Sequence, residues 1–137
     1  MQRIVLLSCV SKKLDTKSRA RDLYVSPLFR YALKYAESLD TDKIFILSAK
    51  YGLVGLDEEI EPYELTLNGM KSIEKKVWAD NVLKQLASES DLDNDEFVFL
   101  AGENYRKYLV LHIKNYNVPM QGLGIGKQLK FLKDKTR

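Results

Sequence analysis

The residues best suited to chemistry sit in short polar segments that directly follow apolar runs. Ser8, Cys9, Ser11, Lys12 and Lys13 come straight after Arg3-Ile-Val-Leu-Leu. Hydroxyls and backbone N–H groups in such a segment can receive a base edge or a phosphate, and Lys12 can supply charge or assist catalysis. An ordinary hydrophilic turn has the same composition. Cys9 is a nucleophile if the neighbouring lysines lower its pKa; otherwise it is a small packed side chain leaving a buried run.

Asp22-Leu-Tyr24-Val-Ser26-Pro27 combines a carboxylate, a phenol and a helix start. Ser26 caps that helix, and the helix N-terminus attracts anions through its unpaired N–H groups. Ser48-Ala-Lys50-Tyr51-Gly52 offers a hydroxyl, a cation and a π face, with Gly52 permitting a turn closed to other residues. These groups suit a nucleobase with a nearby phosphate, although a loop anchored by Tyr51 explains them too.

Glu58, Glu59, Glu61 and Glu64 surround Pro62-Tyr63. A carboxylate near an anomeric carbon can stabilise an oxocarbenium-like transition state or activate water, whereas an acidic loop with no such role is simply solvated. Glu61 is the candidate because the following proline holds its backbone extended. Gly122-Leu-Gly-Ile-Gly-Lys127 is similar to a phosphate cradle but has neither the dinucleotide-binding nor the P-loop spacing. His112 reads as a packed, hydrogen-bonded side chain on the apolar face of a helix.

Three unalternating apolar runs must position these groups: Arg3 to Ser8, Lys43 to Ser48 and Glu96 to Ala101. Such runs are the pattern of strands covered on both faces of a parallel sheet. Ser26-Pro27 starts a crossover helix through Phe29, Ala32, Leu33, Ala36 and Leu39, and Ser72 caps a second through Val77, Trp78, Val82 and Leu86. The stretch from Ala49 to Lys71 reads as one long irregular loop, and Glu89 to Asp95 as an exposed acidic exit. A third helix is expected from Glu103 towards Ile113, with Tyr105, Tyr108, Leu109 and His112 on one face. A short fourth strand is expected at Asn117-Val-Pro-Met, and a last helix from Lys127. The fold class is therefore α/β, a single domain over residues 1–137 with three α/β/α layers and a mostly parallel sheet of about four strands. Ligands of such sheets bind beyond the carboxyl ends of the strands, which selects the polar loops and adds Gly102, Tyr105 and Gly122 as contacts.

The composition bounds the partners. The chain has 137 residues, 45% hydrophobic and 30% charged, enough for one cored domain. With one cysteine and one histidine, an internal disulfide is impossible and a structural zinc site lacks ligands, so any metal would be held by oxygen. No metal or cofactor is expected. A membrane span or cleaved signal is not expected either, which implies a cytoplasmic protein. The net charge of +3 does not by itself indicate nucleic acid, although basic residues gather at Lys12 to Arg21 and Lys127 to Arg137, as binding patches or as solvated surface.

Several blocks in one order carry a resemblance: Leu7-Ser-Cys9-Val-Ser-Lys12, Asp22-Leu-Tyr-Val-Ser-Pro-Leu-Phe29, Ile46-Leu-Ser-Ala-Lys-Tyr-Gly-Leu53, Ile60-Glu-Pro-Tyr63, Leu100-Ala-Gly-Glu-Asn-Tyr-Arg106 and Pro119 to Leu129. Over nearly its whole length the chain resembles an uncharacterised family of small bacterial and phage proteins, a domain of unknown function. At fewer positions it is similar to the uracil-DNA-glycosylase-like domain of archaeosine synthase, which has a Cys-Ser-x-x-Lys-like turn where this chain has Cys9-Val10. Lys50-Tyr-Gly-Leu and Glu61-Pro-Tyr are also similar to segments of the YaaA peroxide-stress family, which has been associated with DNA binding. These resemblances imply a Rossmann-like or uracil-DNA-glycosylase-like fold and a partner that is a nucleotide, nucleoside or nucleic acid. The expected function is an N-glycosidase-like hydrolase or glycosyltransferase with Glu61 and Lys12 in catalysis and Tyr51 or Tyr63 stacking on a base. The alternatives are a non-catalytic nucleic-acid-binding or nucleotide-signal module, phage-encoded, and a domain that contacts another protein through exposed aromatics.

Overall fold

The computed structural model describes residues 1–8 and 12–137. In chain order the elements are β1 (Arg3–Ser8), β2 (Ser18–Arg19), α1 (Ala20–Leu23), α2 (Pro27–Ser38), β3 (Lys43–Ser48), β4 (Gly52–Gly55), β5 (Glu59–Ile60), α3 (Ser72–Glu89), β6 (Glu96–Leu100), α4 (Glu103–Arg106), β7 (Asn115–Asn117) and α5 (Ile125–Lys135). Single 3-10 turns lie at Leu67–Gly69 and Val110–His112.

The main sheet has five strands in the order β4-β3-β1-β6-β7, parallel throughout except where β4 meets β3. Ile4 to Leu7 are fully buried, as expected of a central strand with helices above and below. Alternate side chains enter two apolar clusters. Ile4, Leu6, Phe97 and Phe99 join Ala79, Val82 and Leu86 of α3, while Val5, Leu7, Val98 and Leu100 join Phe29, Ala32, Leu33 and Ala36 of α2 with Leu132 of α5. Ser26 caps α2 through its hydroxyl, which accepts from Phe29 N at 3.2 Å, and Pro27 fills the first helical position.

Several expectations are corrected. The stretch after β3 is not one loop: the Ser48 hydroxyl accepts from Lys50 N and Tyr51 N at 3.3 and 3.0 Å, and the chain reverses into antiparallel β4, adding an edge strand. Gly52 makes the reversal with φ +75°, where a Cβ would collide with the Gln85 amide that receives Leu53 N. Further on, β5 pairs with β2, and Ala20 N and Arg21 N donate to Glu58 O and Leu56 O, tying the rest of the stretch to α1. The helix expected from Glu103 to Ile113 is only α4 and a separate 3-10 turn, which leaves His112 exposed rather than on an apolar face. The strand expected at Asn117 to Met120 lies two residues earlier, paired with β6 through Asn115, Tyr116 and Asn117. Ser72 begins α3 without capping it; Lys71 holds the cap position, its N–H taken by the Glu74 carboxylate at 3.1 Å. The last helix starts at Ile125, two residues before Lys127.

The acidic exit loop is likewise not fully exposed. Asp95 is buried and accepts from Gln2 N and Asp91 N, both at 2.8 Å, clamping the start of β1 to the loop before β6. The Asp91 and Gln2 N–H groups hold its carboxyl below the ordinary carboxylate range. Since the folded pKa is depressed, the stabilisation is complete above the unfolded value of about 3.9 and is lost as pH falls through the lower folded value. Asp95→Ala, which strands both donors, is expected to cost about 2 kcal/mol at neutral pH. Urea titrations at falling pH should show the gap between wild type and variant narrowing below about pH 4; a constant gap would contradict the assignment.

No described helix is long and apolar enough to cross a membrane.

Candidate functional site

A cleft of about 730 Å³ opens at the carboxyl ends of β1 and β6. Its walls are Ser8 at the end of β1, Ala101 to Arg106 after β6, Ser26 and Pro27 at the start of α2, and Met120, Gly122, Leu123 and Ile125 leading into α5. Phe29, Leu100 and Met120, all buried, supply an apolar floor. Among the described residues, Lys12 and Arg106 are its cations and Glu103 its carboxylate.

Local bonds set the shape of this cleft. Gly102 N donates to the Ser8 hydroxyl at 3.2 Å, joining the ends of two parallel neighbours. Arg106 donates from Nη1 to Ala101 O at 2.9 Å, which uses one of its five N–H groups and holds the guanidinium against the wall. Gly122 turns the chain with φ +83°, and Gln128 donates to Leu123 O at 2.8 Å to fasten that turn onto α5. Tyr105 is buried: its ring meets Trp78 edge-on at 5.7 Å, and its hydroxyl lies 3.4 Å from Thr66 Oγ1 and from Leu67 N. It therefore braces the Leu67–Gly69 turn beside the cleft.

A second cleft of about 550 Å³ is lined by Lys12, Lys13, Leu14, Asp15, Pro62, Tyr63, Glu64 and Thr66, so Lys12 belongs to both. Tyr63 is held from several sides. Its hydroxyl is 2.6 Å from that of Tyr24, Tyr51 meets it edge-on at 5.7 Å, and the Lys13 ammonium lies 4.6 Å from its ring centroid.

The main cleft thus brings together Ser8, Lys12, Ser26, Gly102, Tyr105 and Gly122 of the residues expected from sequence. Tyr63 joins Lys12 in the second cleft, with Tyr24 buried behind it. Ser48, Lys50, Tyr51, Gly52 and Glu61 line neither. Ser48 is fully buried, with its hydroxyl engaged by backbone N–H groups; Lys50 lies over the Tyr51 ring at 5.2 Å, and the Tyr51 hydroxyl donates to the backbone carbonyl of Glu61 at 3.3 Å. Glu61 itself is exposed. Cys9 and Ser11 lie outside the described residues. Among the described residues, no group of three or more His, Cys, Asp or Glu side chains is placed to hold a metal ion.

Arg106, Glu103, Asn104 and Asn68 are cleft residues that sequence reasoning passed over. The loop after β6 is identifiable as a strand end, but its ionic and amide side chains have the composition of any solvated helix start. Asn68 gave no signal of its own, because only the turn braced by Tyr105 carries it to the cleft.

With this geometry, residues 4–134 match a family of unknown function, DUF6884. The chain belongs to that family. The match runs from β1 into α5 and so includes every residue named in both clefts. No curated protein and no solved structure matches the chain.

Proposed function

We propose that the protein is a nucleotide- or nucleic-acid-directed enzyme that acts on an N-glycosidic bond in the main cleft. The observation that carries the reading is the cleft's composition: an apolar floor large enough for a base beside a wall that holds Lys12, Arg106 and the start of α2. The base lies over Phe29 and Met120, while phosphate meets Lys12 and the guanidinium of Arg106. Glu103 is the carboxylate on that wall and takes the role the sequence suggests for Glu61, stabilising an oxocarbenium-like sugar or activating water. Helices packed on both sides of the sheet favour a three-layer arrangement of the Rossmann-like or uracil-DNA-glycosylase-like kind, and the partial likeness to the archaeosine synthase domain and to the YaaA family supports the same substrate class. Such a substrate is met in the cytoplasm, of a bacterium or of a phage-infected cell.

The test is incubation with nucleosides, nucleoside monophosphates and single- and double-stranded DNA and RNA while free base is measured by chromatography. Release of base, reduced at least about a hundredfold in Glu103→Gln with binding retained, is the expected outcome. Binding without release in the wild type rejects the enzymatic part.

One observation favours a second reading, a non-catalytic module that binds a nucleotide signal or nucleic acid: among the described residues a single carboxylate lines the main cleft, with no partner carboxylate on its walls. Binding to long nucleic acid should then weaken steeply with salt, and binding of a single nucleotide only slightly.

A further inference from the structure

Three side chains from three elements form a directional chain at the main cleft. Lys75 of α3 donates from Nζ to Asn104 Oδ1 at 3.0 Å, and Asn104 of α4 donates from Nδ2 to Asn68 Oδ1 at 2.9 Å. Asn104 and Asn68 both line the cleft. The direction follows from chemistry. An ammonium has only hydrogens to offer, so the carbonyl oxygen of Asn104 must turn to Lys75. Its NH₂ group then faces Asn68, whose own carbonyl oxygen accepts from it and is so turned towards α4.

What Asn68 has left is its NH₂ group and one lone pair on an oxygen already held by Asn104. The backbone beneath it is fixed, since Asn68 N donates to Thr66 Oγ1 at 3.2 Å and the Tyr105 hydroxyl lies 3.4 Å from Leu67 N. Asn68 thus presents donors, on a braced turn, to whatever occupies the cleft.

We infer that Asn68 is the base-discriminating contact of the cleft, a donor-biased reader that selects bases carrying a keto oxygen over those carrying an amino group at the same ring position; this rests on the nucleotide reading given above. An unconstrained asparagine reads adenine with both halves of its amide, accepting from the amino group while donating to a ring nitrogen. Here the oxygen is held on Asn104 and keeps one lone pair, so the two-point contact with adenine is weakened and a keto oxygen, which takes the NH₂ group, is the better partner. Lys75 and Asn104 are positioning residues: they set which half of Asn68 the ligand meets.

Two matched pairs of nucleotides test the effect, because each exchanges an amino group for a keto oxygen at one carbon and turns the neighbouring ring nitrogen from an acceptor into an N–H: inosine against adenosine monophosphate, and uridine against cytidine monophosphate. Calorimetric titration of the full chain is expected to show the keto member of each pair binding about tenfold more tightly. Asn68→Asp still accepts from Asn104 but offers only acceptors to the ligand, and should reverse both preferences. Lys75→Met frees the Asn104 amide to turn over and should draw both ratios towards one while binding persists. Equal binding within the pairs by the wild type, or an unreversed ratio in Asn68→Asp, overturns this inference and leaves the nucleotide cleft standing. An unaltered ratio in Lys75→Met overturns the role of the chain in setting the amide. Failure of all four nucleotides to bind overturns the nucleotide reading and this inference with it.

Discussion

Trp78→Ala is expected to lower the stability by about 3–5 kcal/mol, a large share of the roughly 5–15 kcal/mol that holds a domain of this size. Trp78 is 9% exposed, its ring meets Tyr105 edge-on at 5.7 Å, and its Nε1 donates to the Ser48 carbonyl at 2.9 Å. Truncation opens a cavity between α3 and the sheet and at the same time leaves that carbonyl without its donor. The loss reaches the cleft, since Tyr105 braces the Leu67–Gly69 turn. Trp78→Phe keeps most of the packing and removes the donor, so it should cost about 1–2 kcal/mol. Trp78 is the chain's single tryptophan, so far-ultraviolet circular dichroism rather than fluorescence should follow the urea transitions of wild type and both variants. Equal midpoints for the alanine and phenylalanine variants would show that packing contributes little here.

Lys12→Ala is expected to weaken binding of a phosphorylated ligand about tenfold, with little change in stability. Lys12 is exposed and lines both clefts, so its ammonium can meet a phosphate seated in either. Its contribution to the fold is made by the main chain: Lys12 O accepts from Val25 N at 3.0 Å, a bond that survives truncation of the side chain. Titrating inosine monophosphate and inosine separates the two effects. The nucleotide should lose affinity and the nucleoside should not, and raising the salt should shrink the difference. An equal loss for both ligands would mean that Lys12 does not contact phosphate.

Residues that declared their structure locally did so through burial and capping. Ile4 to Leu7, Ile46-Leu47 and Phe97 to Leu100 are apolar without alternation, and a segment of that kind is stable only when both faces are covered. Ser26-Pro27 marked the start of α2 because a hydroxyl acceptor followed by a residue with no N–H suits a helix N-terminus and little else. The errors came where local signals were weak or shared. The segment after Glu103 has tyrosines and leucines at near-helical spacing, yet the chain leaves α4 after Arg106 and buries Leu109 and Ile113 from irregular backbone. Gly52 has the sequence setting of a ligand loop, whereas its positive φ serves a hairpin.

By itself, then, the sequence determined that there would be buried parallel strands with polar residues at their carboxyl ends, since that pattern follows from the side chains of each segment alone. Which of those ends share a cleft was decided by the tertiary structure. Leu6 pairs with Phe99 on one side and Phe45 on the other, and such long-range pairings are written in no single segment. Placing β6 beside β1 brings Gly102 and Arg106 to Ser8, while the antiparallel return of β4 commits Ser48 to a turn and Tyr51 to the side of Tyr63. The same packing carries Asn68 and Asn104 to one cleft wall and fixes, through Lys75, which half of an amide a ligand meets. A hydrogen bond's direction depends on its neighbour, and the neighbour is supplied only by the fold.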